Sequence, residues 1–238
     1  MTIRIVTDST CDLPEEIAAQ LGITIVPLYI NFGGESYLDG VDLSREAFYA
    51  RLPDCDPPPT TAMPGPQMFL KAYEKLSDEG ATEILSVHIS KSLSAVVDTA
   101  HLAAREASTP VTVFDSGLLS LGLGFLVQAA AEAAAQGRPM DEIIALIKEQ
   151  RRRTHVFAAL DTLEFLRRSG RMNRVMATLG KLVADEAAAQ DARCQPDSRK
   201  DTHDRSHYSE ADRLARRTTA SGTIRCPLIC GSPTRTGA

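Results

Sequence analysis

The chain alternates between two kinds of hydrophobic pattern. Short runs of β-branched and aliphatic residues predict strands at residues 3–6, 23–30, 84–87, 111–114 and 156–160. The longer stretches between them repeat apolar side chains with the spacing of an amphipathic helix, as at Phe69, Ala72, Tyr73 and Leu76 and at Met140, Ile143, Ile144 and Ile147. Strands that alternate with helices predict an α/β fold, in which a mostly parallel sheet has helices on both faces.

Residues that begin or end helices divide the pattern further. Asp12, followed three residues later by Glu15, has the spacing of a helix start. Pro66 suits the first position of the helix that follows it, because that position needs no N–H donor. Gly137 and Pro139 predict a break between two helices.

The longest apolar stretch does not predict a membrane span. Residues 118–135 are interrupted by Gln128 and Glu132 and are rich in alanine and glycine, which favours a buried helix. The N-terminal residues follow a strand pattern rather than the charged and apolar segments of a secretory signal. The five cysteines have no disulfide spacing, which agrees with a reducing compartment. We therefore expect a cytoplasmic protein without a stable membrane anchor.

The charge balance argues against nucleic acid as a partner. The 238 residues include 26 Lys and Arg against 31 Asp and Glu, which gives a formal net charge of −5. Such a chain offers no basic face to a phosphate backbone. The expected partner is a small molecule or another protein.

Three polar clusters come where predicted strands end: TDSTCD at residues 7–12, HISKSLS at 88–94 and FDSGLLS at 114–120. Ligands of parallel α/β sheets bind beyond the carboxyl ends of the strands, so these clusters are candidates for a pocket lining. Because Ser and Asp are also the ordinary capping residues of helices, capping is the competing interpretation. The second-tier candidates from these clusters are Asp8, Ser9, Asp115 and Ser116.

The segment PTTAMPGPQMF, residues 59–69, places two threonines before a stiff loop and a predicted helix. Pro64 and Pro66 restrict the backbone on the way into that helix. The N–H groups of a first helical turn have no internal partner and carry partial positive charge. The segment is therefore a suitable place for an anion.

Enzyme motifs are incomplete. Asp8 and Asp12 lack the Asp-x-Asp spacing of phosphoaspartyl phosphatases, and LGLG at residues 121–124 lacks the third glycine of a dinucleotide loop. Ser94 has no His and Asp in a recognised order, although triads are defined in space rather than in sequence. A hydrolase or phosphatase of doubly wound α/β fold that uses Ser94 or Asp8 remains the alternative function.

A metal site is not expected. The pairs His203 with His207 and Cys226 with Cys230 are each four residues apart, and this spacing departs from the usual Cys-x₂-Cys loops of zinc sites. We therefore expect neither a metal nor a cofactor.

Several motifs in order resemble one family. The segments IRIVTDSTCDLP, TTAMPGPQMF, ISKSLSAVVDTA, FDSGLLSLGLGFLV and LEFLRRSGRMN, as far as about Val183, are together similar to the DegV family of fatty-acid-binding proteins. The resemblance implies a non-catalytic lipid carrier. It would bind a long-chain fatty acid and present it to the catalytic subunit of a bacterial fatty acid kinase.

The resemblance also implies site residues. Thr61 matches the carboxylate-binding threonine of the family's Thr-Ser-Gln-Pro-like motif, and Ser94 matches the second carboxylate ligand, in the Leu-Ser-Gly-Thr motif. Arg171 matches the arginine of a Gly-Gly-Arg motif and would contact the head group or an acyl phosphate. This chain departs from those motifs at Ala62, Met63, Ala95, Val96 and Ser169.

The resemblance divides the chain into three parts. Residues 1–150 form the expected N-terminal α/β domain, residues 151–183 begin a second domain that is incomplete, and residues 184–238 are an aberrant tail that we expect to be disordered. One coding of residues 184–190, when it is read one nucleotide later, gives Arg-Met-Lys-Pro-Leu-Leu, which looks like the family's continuation. A shifted reading frame is our hypothesis for the tail.

Overall fold

The computed structural model describes residues 2–158 and 167–169 of the chain. The elements follow in chain order as β1 (Ile3–Asp8), α1 (Glu15–Gln20), β2 (Thr24–Val26), β3 (Tyr29–Phe32), β4 (Glu35–Leu38), α2 (Arg45–Arg51), β5 (Thr60–Ala62), α3 (Pro66–Asp78), β6 (Glu83–His88), α4 (Val96–Ala104), β7 (Val111–Asp115), α5 (Ser120–Ala135) and α6 (Met140–Arg153). Short 3₁₀ turns lie at Ser9–Cys11 and Leu52–Asp54.

The main sheet is parallel throughout, with strand order β2-β1-β6-β7. Val6 of β1 lies opposite Ser86 of β6 on one side and Thr24 of β2 on the other. All four strands therefore end at the same edge of the sheet. The α/β architecture with a mostly parallel sheet is confirmed.

One face of the sheet packs against α1, α5 and α6. This core joins residues from β1, β6 and β7 to the helices through Ile3, Ile5, Leu85, Val87, Phe114, Ala18, Leu123, Leu126, Val127, Ile143 and Ile147. The predicted stripe in α6 is confirmed, because Ile143 and Ile147 are fully buried. The helix at residues 118–135 is likewise confirmed as α5, a helix lined with small residues.

The other face packs against α3 and α4. The contributing residues are Val6, Val26, Ile84, Phe69, Tyr73, Leu76, Val96, Ala100 and Ala103. Phe69, Tyr73 and Leu76 are the buried members of the stripe that the sequence predicts. Helices thus cover both faces of the main sheet.

The predicted strand at residues 23–30 is two strands in two sheets. The chain leaves the parallel sheet after Val26 and begins β3 at Tyr29. Pro27 lies in this break and has no N–H to continue a strand ladder. The strands β4, β3 and β5 form a separate antiparallel sheet, which the hydrophobic pattern did not predict.

Two further predictions are corrected. Asp12 does not start a helix: it ends the first 3₁₀ turn in a left-handed conformation (φ 55°), and α1 begins at Glu15 after Pro14. The predicted strand at residues 156–160 is absent from its described part, because residues 156–158 form no strand. The helix start at Pro66 and the break between α5 and α6 at residues 137–139 are confirmed.

Some predictions lie outside the described residues. They concern Arg171, most of the segment 151–183 and all of residues 184–238. Within the described part of the chain, no helix is long and apolar enough to cross a membrane.

Gly124 tests the packing of α5 against the loop after β1. A Cβ at this position would lie 2.5 Å from the backbone oxygen of Cys11 and 3.2 Å from the side chain of Leu13. Overpacking costs about 1–3 kcal/mol, which exceeds the gain of about 1 kcal/mol that alanine gives a helix over glycine. We expect Gly124→Ala to lower the free energy of unfolding measured in urea. Gly34→Ala is the control, because a Cβ at Gly34 meets nothing within 4 Å.

Candidate functional site

The carboxyl edge of the main sheet gathers the polar residues that follow the strands. Asp8 ends β1, His88 ends β6 and Asp115 ends β7. Asp8 and His88 are fully buried. The loops that follow these three strands hold the candidate residues Ser9, Ser94 and Ser116.

The carboxylate of Asp8 accepts hydrogen bonds from two loops. One oxygen, Oδ1, accepts from the backbone N–H of Thr10 at 3.1 Å and from the Thr10 hydroxyl. The other, Oδ2, accepts from Nδ1 of His88 at 3.0 Å and from the backbone N–H of Ile89 at 3.1 Å. A buried carboxylate is tolerated only with such donors. Asp8 therefore ties the loop after β1 to the loop after β6.

A chain of hydrogen bonds continues from His88 into the core. Its Nε2 lies 2.6 Å from the Ser86 hydroxyl, which in turn lies 2.8 Å from the hydroxyl of Tyr73 on α3. The His88 ring also packs edge-on against Phe69, with ring centroids 5.2 Å apart. Tyr73, Ser86, His88 and Asp8 are all fully buried.

Asp8, His88 and Ser86 have the hydrogen-bond order of a hydrolase triad, but their burial argues against that use. A nucleophile must be reachable by the substrate's reacting atom. Ser86 has no exposed surface, and its hydroxyl is also bonded to Tyr73. The arrangement in this structure is a polar network inside the core. Of the two residues that the sequence suggests for a hydrolase or phosphatase, Asp8 belongs to this network and Ser94 does not.

The network shifts two pKa values. Burial by itself would raise the pKa of Asp8, but the hydrogen bonds and the charge interaction with His88, together with the bonds from Thr10 and Ile89, hold the pKa of Asp8 below its ordinary value of 3.8. Burial raises the pKa of Tyr73 to about 12, against the opposing effect of its hydrogen bond with Ser86. Near neutral pH the network therefore contains a carboxylate and a protonated phenol.

The loops after β6 and β7 are also tied together. The backbone N–H of Ser90 donates to the Leu118 carbonyl oxygen at 2.8 Å. Oδ1 of Asp115 accepts from the backbone N–H groups of Lys91 at 3.1 Å and of Gly117 at 2.9 Å. Gly117 has φ +65°, a conformation that glycine adopts readily. Asp115 thus uses one oxygen to hold both loops.

Ser9 and Ser116 also have internal partners. The Ser9 hydroxyl accepts from the backbone N–H of Leu28 at 3.1 Å, across the break between β2 and β3. The hydroxyl of Ser116, which is fully buried, accepts from the Leu118 N–H at 3.0 Å and donates to the Leu118 carbonyl oxygen at 3.2 Å. Both serines therefore shape loops, and neither presents an open hydroxyl at the surface.

Thr61 lies in the second sheet rather than at a helix. It is the central residue of β5, opposite Ile30 of β3, and it is exposed. Two residues later, Met63 Sδ lies 3.4 Å from the Thr99 hydroxyl, one turn inside α4. This contact brings the segment that contains Thr61 beside the helix that follows Ser94.

Ser94 lies two residues before Val96, the first residue of α4. It is half-buried, and its backbone N–H donates to the Ser90 carbonyl oxygen at 3.1 Å. Within the described residues its hydroxyl has no hydrogen-bond partner. Ala95, where the resembling family has glycine, has φ −86°, so this position does not require glycine.

Helices α3 and α4 both begin without a capping side chain. Gly65 precedes α3 and Ala95 precedes α4, and neither can supply a side-chain oxygen. In the first turn of α3, Pro66 has no N–H and the Met68 N–H donates to the Gly65 carbonyl oxygen at 3.1 Å, so only the uncapped first turn of α4 is considered as a place for a partner of opposite charge. An exposed hydroxyl-bearing strand, a half-buried serine and an uncapped helix start together suit a small anion such as a carboxylate.

Tyr73, Ser86 and His88 were not predicted from the sequence to form a polar network. The signal was present, because Ser86 and His88 are polar residues two apart in a buried strand and so share one face of the sheet. Asp8, two residues beyond Val6 in the parallel neighbour β1, lies level with His88. Polar residues on one face of a core strand predict a satisfied internal partner.

The comparison with protein families gives one match over most of the chain. A family model described as "Uncharacterised protein, DegV family" matches residues 2–184. A DegV domain-containing protein of Deinococcus radiodurans is 42% identical over 183 residues, which cover 77% of this chain and 65% of the relative. Another, from Streptomyces coelicolor, is 37% identical over 182 residues, which cover 76% of this chain and 64% of the relative.

Solved structures give the same relationship. A structure described as fatty acid binding of a DegV family protein from Thermus thermophilus is 38% identical, with a TM-score of 0.67 over 76% of this chain and 64% of that one. DegV from Bacillus subtilis, described as a fatty acid binding protein, is 28% identical, with a TM-score of 0.68 over the same shares. This chain thus spans 64% of the length of both solved relatives.

Asp8 should make stability depend on acid pH. Because its pKa in the folded chain lies below 3.8, its stabilising contribution is complete above the ordinary pKa and is lost as the pH falls through the lowered one. We expect Asp8→Asn to lower the free energy of unfolding at pH 7 by about 1.5–3 kcal/mol, and the difference from wild type to shrink below pH 4.

Urea titrations between pH 7 and pH 3 measure this difference. Asp98→Asn is the control, because Asp98 is an exposed carboxylate paired with Lys91 at the surface. A difference between wild type and Asp8→Asn that stays constant down to pH 3 would contradict the lowered pKa.

Proposed function

This chain belongs to the DegV family, and we propose on that basis that it binds a long-chain fatty acid by its carboxylate. The observation that carries the proposal is the contact between Met63 and Thr99, at 3.4 Å. It brings the segment after β5 beside α4. Thr61 lies two residues before Met63, Ser94 lies before α4, and these two residues match the family's carboxylate ligands. In the proposed site, both segments contribute hydrogen-bond donors to one head group.

The chemistry of the head group fits the donors that these segments offer. Hydroxyl groups of Thr61 and Ser94 can each donate to a carboxylate oxygen, and such charge-assisted bonds are stronger than neutral ones. The uncapped first turn of α4 adds N–H groups and a favourable dipole. Removing a carboxylate from water is costly unless several donors replace the water molecules.

The acyl tail would supply most of the affinity. Each methylene that leaves water contributes about 0.8 kcal/mol, so a long chain adds far more than the head-group bonds, which chiefly fix its orientation. Met63 follows Thr61 by two residues, and Leu119 follows Leu118, whose carbonyl oxygen accepts from the Ser90 N–H. Their side chains are 47% and 42% exposed. They are our candidates for the start of the tail site.

We further propose that the bound acid is presented to a fatty acid kinase and that no metal or cofactor is needed for binding. Arg171, which lies outside the described residues, is the proposed contact for the head group or for the phosphate of an acyl-phosphate product, because guanidinium groups suit both anions. The proposed domain division places the head-group segments within residues 1–150. The start of the second domain is proposed for residues 151–183.

Head-group variants test the binding proposal. We expect Thr61→Val and Ser94→Ala each to weaken fatty-acid binding by roughly 1.5–3 kcal/mol, because each leaves a charged group one donor short. Thr60→Val is the matched control, since successive residues of β5 point to opposite faces and Thr60 contacts Asn31 instead. Isothermal titration with palmitate gives the affinities. A larger loss for Thr60→Val than for Thr61→Val would contradict the assigned register.

Methyl palmitate distinguishes recognition of the carboxylate from recognition of the alkyl chain. It retains the alkyl chain but has no charge, so we expect it to bind more weakly than the acid to the wild-type chain. The Ser94→Ala variant should reduce this discrimination between acid and ester. Equal affinities of the wild-type chain for acid and ester would mean that the carboxylate is not recognised.

Turnover assays separate the carrier from the alternative enzyme. The proposal predicts acyl-phosphate formation only when a fatty acid kinase and ATP are added to the acid-loaded chain. Hydrolysis of acyl or phosphoryl esters by the chain alone, abolished in Ser94→Ala or Asp8→Asn, would instead favour the hydrolase or phosphatase. Asp8 has no exposed surface, which argues against its direct attack on such a substrate.

A further inference from the structure

We propose that His88 is a positioning residue for the head-group loop: through Asp8 it holds the backbone of residues 89–94 and thereby sets the place of the Ser94 hydroxyl. The link to fatty-acid binding rests on the proposed function. The positioning itself is a property of the folded chain and can be measured without a ligand.

The loop is held by consecutive backbone groups. The N–H of Ile89 donates to Asp8 at 3.1 Å, that of Ser90 to the Leu118 carbonyl oxygen at 2.8 Å, and that of Lys91 to Asp115 at 3.1 Å. The N–H of Ser94 then closes back onto the Ser90 carbonyl oxygen. The conformation at Ser94 therefore depends on how its loop is fixed at its beginning.

The first of these contacts is the one that depends on a buried side chain. Oδ2 of Asp8 is shared between the Ile89 N–H and Nδ1 of His88, so the imidazole fixes the direction in which the carboxylate faces the loop. His88 is itself held by Ser86 at 2.6 Å and by the ring of Phe69. Asp115, in contrast, lies at a partly exposed position.

The positions of the protons give this series of four hydrogen-bonded side chains a direction. In the tautomer that carries its proton on Nδ1, His88 donates to the carboxylate and its Nε2 accepts from the Ser86 hydroxyl. Ser86 can then accept from Tyr73. Every proton of the four side chains has an acceptor in this arrangement. Such connected chains of hydrogen bonds reinforce one another inside a protein.

Two amide variants of His88 distinguish positioning from simple packing. The amide nitrogen of Asn sits near the place of Nδ1, so His88→Asn can keep the donor to Asp8. The longer Gln places its amide near Nε2 and leaves Asp8 without that donor. If volume alone mattered, the smaller Asn would be the more damaging replacement. If the bond to Asp8 matters, Gln is the more damaging one.

Amide hydrogen exchange of the ligand-free chain, followed by NMR, is the primary measurement. We expect His88→Gln to speed the exchange of the Ile89 and Ser94 amides by about tenfold to a hundredfold, and His88→Asn to speed it less. Tyr73→Phe, which keeps the core volume, should speed the same amides slightly although Tyr73 does not bond to the loop. The Tyr73→Phe variant still tests the proposal if a His88 variant does not fold.

Ser77→Ala is the matched control for a lost hydroxyl bond. Ser77 lies on α3, and its hydroxyl is 2.6 Å from that of Thr109, which precedes β7, and 3.0 Å from the backbone carbonyl oxygen of Tyr73; it makes no hydrogen bond with the Tyr73 hydroxyl. Its loss should leave the exchange at residues 89–94 unchanged. Three outcomes would overturn the proposal. The Ile89 and Ser94 amides could exchange at the wild-type rate in His88→Gln, exchange could accelerate uniformly along the whole chain, or His88→Asn could have a stronger effect than His88→Gln.

A double-mutant cycle connects the positioning to the ligand. We expect His88→Gln to lower the palmitate affinity of the otherwise wild-type chain. In a Ser94→Ala background it should lower the affinity no further, because the two changes remove the same contact. Additive losses would overturn the connection to Ser94. Altered exchange in a chain that shows no palmitate binding would refute the proposed function and leave the positioning of the loop supported.

Discussion

The architecture of the carboxyl edge depends on one buried charge. Asp8 ends the central strand β1 and has no contact with water, so its carboxylate must find donors within the protein. It finds them in His88, the last residue of the neighbouring strand β6, and in Thr10 and Ile89, which follow β1 and β6. A buried carboxylate that must accept these hydrogen bonds also fixes the position of the groups that donate them. The geometry of both loops is therefore a consequence of burying this carboxylate.

The second constraint is the break between β2 and β3. Pro27 cannot continue the ladder, and the N–H of Leu28 is taken by the Ser9 hydroxyl. The chain thus leaves the parallel sheet and builds an antiparallel one from β4, β3 and β5. This small sheet places Thr61 near α4, although 33 residues separate it from Ser94 in the sequence. The proposed head-group site is a product of that rearrangement.

The buried network illustrates how environment rather than residue type assigns a role. Serine, histidine and aspartate in hydrogen-bond order are the residues of a hydrolase triad, yet here Ser86 faces Tyr73 inside the core. The same bonds that would activate an exposed serine serve here to orient a carboxylate and the loop it holds. Ser94, the residue of the proposed head-group site, is half-buried and lies outside this network.

The α/β class, the helices that cover the parallel sheet and the resemblance to the family could be predicted from the amino-acid sequence. Those features follow from hydrophobic periodicity and from local motifs, such as the stripe that buries Phe69 and Tyr73, which are written in neighbouring residues. The sequence also drew attention to Thr61 and Ser94. Two features became visible only in the folded chain: residues 23–30 divide between two sheets, and Asp12 bonds to Arg45 and Ser120 instead of starting a helix.

The partners of Asp8 were likewise decided by tertiary structure. His88 is eighty positions away in the chain and reaches Asp8 only because β1 and β6 are parallel neighbours with Val6 opposite Ser86. A local pattern states that a residue is polar and that its strand is buried. Which partner satisfies it depends on strand order and register, and these are set by the packing of the whole domain rather than by any one segment.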